Sequence, residues 1–150
     1  MRLPHDCLIL VADGRKMLLL RNEGTSDDPS LVVDYGLEQP NPADRDQKSD
    51  ARDQRPTVGS PGQASTGEVD YHRQAEDDFA REAAAYLNAL ALRNALTRLI
   101  VIAPPRTLGE LRRHYHREVS ARLVVEIAKT MTGQPTNAIA RFLVAQEEVG

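Results

Sequence analysis

Residues 98–113 read RLIVIAPPRTLGELRR. Leu99, Ile100, Val101, Ile102 and Ala103 form a continuous apolar run, without the alternation of a half-exposed strand. Such a run fits a strand covered on both faces, as in a sheet flanked by helices. Pro104 and Pro105 stop the ladder, since neither carries a backbone N–H. Thr107 is the expected N-cap of a following helix, with Glu110 in capping-box register and Leu108 and Leu111 behind it. A buried strand thus ends at a short loop bearing Arg106 and opens a helix. That strand-end edge is where ligands gather in open α/β sheets, and a helix N-terminus favours anions.

Upstream, Phe79, Ala83, Tyr86, Leu87, Leu90 and Asn94 recur at helical spacing. They predict a long amphipathic helix from about Tyr71 to near Asn94, the crossover into the apolar strand. Nearer the N-terminus, Cys7–Ala12 and Met17–Leu20 are apolar runs separated by Asp13-Gly14, a hairpin signal. Leu31–Tyr35 reads as a third strand of the same meander. Downstream, Ala121–Ile127 is read as a strand, although Ala121, Val124, Val125 and Ala128 would also share one face of a continued helix. Thr132-Gly133 marks a break, and Pro135-Thr136 opens a last helix with Ile139, Phe142 and Leu143 inward. The expected order is βββ–α–β–α–(β)–α. This is an α/β fold with a mixed sheet, an N-terminal antiparallel three-strand meander and flanking helices, resembling the ribonuclease-H-like architecture.

A chain of 150 residues makes one domain, 1–150, with one core. Between about 39 and 70 the apolar pattern lapses into Pro, Gly and mixed charge, which predicts a polar, flexible, protease-sensitive loop. The net charge of −3 gives no global attraction to nucleic acid or to anionic membrane. Cys7 is the sole cysteine, so no intrachain disulfide forms, and its apolar setting predicts a buried thiol. The N-terminal apolar segment is too short for a signal peptide or a span. The expectation is a cytoplasmic protein.

The chemistry-bearing residues are sparse. His114 and His116 are two apart on the expected helix, pointing in different directions. His5 and His72 lack ligand spacing, so no metal site is expected. No nucleophile elbow, Walker loop or dinucleotide fingerprint occurs, and no cofactor is expected. Asp13, Asp34, Glu76, Asp77 and Asp78 are the acids a metal nuclease would need to converge, but a hairpin accounts for Asp13 and a helix start for the last three. Residues 106–129 are locally basic, with Arg106, Arg112, Arg113, Arg117, Arg122 and Lys129. Tyr115 and His116 lie among them, available in principle to stack on a base. A solvated helix face with a few ion pairs accounts for the same residues. An RNA contact through Arg106, Arg112, Arg113 and Arg117 is the partner hypothesis that charge supports best.

VADG at 11–14, IVIAPPRTLGELR at 100–112 and REVSARLVVEIAKTMTGQP at 117–135 together resemble the bacterial host attachment protein family. That family is similar in fold to the middle domain of archaeal and eukaryotic peptide-chain release factors. The resemblance implies a ribosome- or tRNA-associated module, non-enzymatic, with a role in ribosome rescue or dormancy. It also leaves open a protein-interaction module linked to host attachment or stress. In release factors a Gly-Gly-Gln loop between strand and long helix promotes peptidyl-tRNA hydrolysis. Here the corresponding segment is Gly59-Ser60-Pro61-Gly62-Gln63. Gly62 and Gln63 match the last two motif positions, which makes Gln63 the one catalytic candidate. Pro61 stands where the first glycine belongs and cannot reproduce its backbone freedom. The following helix is acidic, which disfavours phosphate.

Overall fold

The structure is a computed structural model that describes residues 1–39 and 61–146. Its centre is a five-stranded sheet of β1 (Leu8–Ala12), β2 (Lys16–Asn22), β3 (Leu31–Glu38), β4 (Leu99–Ala103) and β5 (Leu123–Ala128), in the order β3-β2-β1-β4-β5. β3, β2 and β1 form the antiparallel meander, and β1, β4 and β5 run parallel. The two continuous apolar runs, LILVA and LIVIA, are the adjacent inner strands, buried at every position. Nothing but apolar side chains suits a strand whose two faces are both covered.

Alternate residues feed two cores. Leu8, Leu10, Ala12, Met17, Leu19, Leu99, Val101 and Ala103 meet α1 (Pro61–Leu92), α2 (Pro105–Arg112) and α3 (Arg117–Arg122). On this face Phe79, Ala83, Leu87 and Leu90 supply the stripe expected for the long helix. Tyr86 stacks on Tyr35 of β3, with ring centroids 3.8 Å apart. On the opposite face Ile9, Val11, Leu20, Ile100 and Ile102 pack against Leu3, Cys7, Met131 and α4 (Thr136–Ala145) through Ile139 and Leu143. The result is three layers, with the long helix as the crossover into β4.

Several boundaries differ from the sequence reading. α1 opens at Pro61, so 61–70 is helical backbone and not loop; of the expected flexible segment, 40–60 lies outside the described residues. Pro at the first helical position costs no hydrogen bond, which is why it suits a helix start. α2 is capped by extended Pro104 with Pro105 inside the helix, while Thr107 is buried and makes no cap. The proline pair is therefore both the end of β4 and the start of α2. α1 closes with Asn94 at φ 61°, where Ala95 N donates to Leu90 O and Asn94 N to Ala91 O. That is the Schellman pattern of a left-handed C′ residue. The ambiguous stretch divides: Ala121 and Arg122 finish α3, and Leu123–Ala128 is the edge strand. Gly14 has no positive φ; a Cβ there would lie 2.7 Å from the Glu76 carboxylate, so that side chain would have to shift.

Candidate nucleic-acid interface

β1, β3, β4 and β5 all point the same way, so their C-terminal ends share one edge of the sheet. Asp13 and Lys129 follow two of those ends directly, and Arg106 follows the end of β4 after Pro104 and Pro105. Asp13 Oδ1 accepts from the amides of Arg15 and Lys16 at 2.8 Å, which shapes the hairpin turn. Its Oδ2 accepts from the Thr132 hydroxyl at 2.7 Å and ties the β5–α4 connection to that turn. Asp13 is fully engaged in holding the edge together. At the same edge α1 passes Gly14 with Glu76, and the fifteen residues from Pro61 to Ala75 continue beyond it for about 22 Å.

The predicted arginines fall on broken ground. α2 ends at Arg112, Arg113 is its C-cap, and a turn through His114–His116 separates it from α3, which begins at Arg117. Arg113 and Arg117 therefore do not share one continuous helix face. Asn88 of α1 clamps the turn, donating to His114 O at 3.0 Å and accepting from His116 N at 2.8 Å. His116 caps α3, its Nδ1 accepting from Glu118 N at 3.0 Å. The Asn88 clamp has no signal in the sequence, because its two bonds join residues 26 and 28 positions apart.

Three of the four arginines meet carboxylates. Arg106 lies 3.7 Å from Glu76 and 4.0 Å from Asp77, bridging α2 to α1. Arg112 pairs with Glu126 of β5 at 2.9 Å, and Arg113 with Glu110 at 3.5 Å. Arg117 is exposed and has no carboxylate within ion-pair distance among the described residues. Tyr115 is not free to stack on a base: its ring packs against the core. Burial, then the nearby Glu126 carboxylate, push its phenol far above the ordinary range. Arg122 also has a partner, holding the Glu118 carboxyl below its usual range by a hydrogen bond of 2.8 Å.

Gly62 and Gln63 sit in the first turn of α1 as helical backbone, where the resemblance implied a loop. Asp34 pairs with Arg21 at 2.9 Å, and no group of three or more metal-ligating side chains converges among the described residues. Among those residues, no helix is long and apolar enough to cross a membrane.

The family model described as bacterial archaeo-eukaryotic release factor family 12 matches residues 6–143. No characterised protein matches the sequence. Among solved structures, the archaeal translation termination factor aRF1 is similar at 15% identity and a TM-score of 0.47, covering 92% of this chain and 40% of its own. Another, described only as an archaeal protein, is similar at 16% identity and a TM-score of 0.45, covering 92% and 39%. The chain thus spans about 40% of the length of these structures.

Proposed function

Since this chain belongs to bacterial archaeo-eukaryotic release factor family 12, we propose that it is a non-enzymatic module associating with the ribosome or tRNA, in stalled-ribosome rescue or dormancy. The observation that carries the proposal is the family match, which spans the whole sheet and the described helices that pack on it, save the last two residues of α4. The non-enzymatic part rests on Pro61, Gly62 and Gln63. A helical first turn opened by proline differs from a glycine-rich loop tip in both shape and freedom. We place the module in the cytoplasm, where ribosomes are.

A second reading, a protein-interaction module in host attachment or stress, draws on the neutralisation of Arg106, Arg112 and Arg113 by carboxylates. Ion-paired arginines project less positive field than the sequence count implies. Co-sedimentation with purified ribosomes separates the two. Arg113→Glu with Arg117→Glu is expected to weaken association roughly tenfold while leaving the fold intact. Gln63→Ala is expected to change association little and to alter no peptide release. Release of peptide from stalled complexes by the wild type, lost in Gln63→Ala, would make the protein a peptidyl-tRNA hydrolase. Association indifferent to salt would favour the protein-interaction reading.

A further inference from the structure

Two cations without carboxylate partners among the described residues, Lys129 and Arg141, lie together away from α2. Lys129 follows β5, its amide donating to Ala103 O at 3.1 Å, so it stands on the same C-terminal sheet edge as Arg106. Its ammonium lies 4.5 Å over the ring of Phe142 on α4, a contact that holds a long side chain in place without cancelling its charge. Arg141, the neighbouring residue on α4, lines the same cleft, of about 470 Å³, with Thr130 and Gln134. Both cations are exposed, and neither makes an ion pair among the described residues. Next to the cleft's Met131, Thr132 is buried and bonded to Asp13 across the sheet edge.

We propose that this cleft between the β5–α4 connection and α4 is a contact for the phosphate backbone of RNA, with Lys129 and Arg141 as its cations. Two uncompensated charges, a hydroxyl, a carboxamide and an aromatic ring in one concave site match a phosphate-bearing nucleotide. By contrast, Arg106, Arg112 and Arg113 must each give up a carboxylate before meeting a phosphate. Lys129 and Arg141 have no carboxylate to give up among the described residues. The inference rests on the RNA-associated reading and names where on the domain that association is seated.

The test is fluorescence anisotropy of a single-stranded oligouridine, together with ribosome co-sedimentation, across a salt series with the full chain. Lys129→Ala with Arg141→Ala is expected to weaken both by about tenfold or more and to lower the salt slope by about two, one for each phosphate no longer neutralised. Arg141→Lys should retain part of the affinity, since charge survives while the planar fork does not. Arg93→Ala removes an exposed cation just past the end of α1 and should change nothing; thermal unfolding confirms that each variant folds. If Arg93→Ala weakens binding equally, the effect is net charge and the cleft assignment is overturned. If the double variant binds as the wild type does while Arg113→Glu with Arg117→Glu does not, the cleft is wrong and the RNA reading stands. No binding of RNA or ribosomes by the wild type sinks both. Equal affinity for an oligoglutamate peptide would replace RNA with an acidic protein partner.

Discussion

Asn22 shows how one polar side chain fixes a surface region. It is fully buried, and its Nδ2 donates to Leu3 O at 2.8 Å while its Oδ1 accepts from the amides of Gly24 and Ser30, each at 2.9 Å. One carboxamide thereby joins the N-terminal segment, the end of β2 and the start of β3. Asn22→Leu removes those bonds and leaves buried backbone groups unpaired, so chemical denaturation should show a loss of about 2–4 kcal/mol. Cys7 illustrates the opposite case, an apolar use of a reactive residue. Burial pushes its thiol from 9.0 up to about 11, with Arg98 opposing weakly. A raised folded pKa favours the neutral form, so its contribution to stability is complete below pH 9.0 and is lost as pH rises through about 11. Alkylation of Cys7 at neutral pH should therefore proceed only at the rate of unfolding; rapid labelling of the native protein would contradict this burial. The thiol's fate is legible from the apolar run around it. The role of Asn22 is not, since its partners come from three separate segments.

Among the elements, β4 is the most legible and the helix ends the least. A run of five apolar residues has few folded environments open to it, and burial between two helical layers is the one adopted. Val101→Asp would place an unpaired charge at a position with 0% exposure and should destabilise the domain by several kcal/mol, roughly the scale for an uncompensated buried ion. Unchanged thermal unfolding would remove β4 from the core. At the other end of the crossover, Asn94 holds φ 61°, a conformation glycine adopts at less cost. Asn94→Gly should be neutral or stabilising by up to about 1 kcal/mol, less whatever the Arg122 hydrogen bond at 3.3 Å contributes. The capping pattern at Thr107 and Glu110 misleads because local spacing is blind to the proline pair's capacity to start the helix three residues earlier. Likewise, helical spacing cannot show that Asn88 of α1 pins a break between α2 and α3.

For the whole molecule, composition and the arrangement of charge point in different directions, and tertiary structure decides between them. Arg106, Arg112 and Arg113 look like a basic stripe in sequence, yet their carboxylate partners come from α1, β5 and their own helix. Lys129 and Arg141 are twelve residues apart and nothing in their spacing marks them as a pair, but α4 folds back on β5 and puts them in one cleft. The fold is legible because hydrophobic periodicity survives in a single chain. The site is only half legible, because charge compensation is a property of contacts between elements. Ribosome affinity of the wild-type chain, measured by co-sedimentation from low to high salt, tests the central claim most directly. Phosphate contacts through Arg117, Lys129 and Arg141 predict that log affinity falls linearly with log salt, with a slope of about −2 to −3. A flat dependence, or no association at low salt, would contradict it.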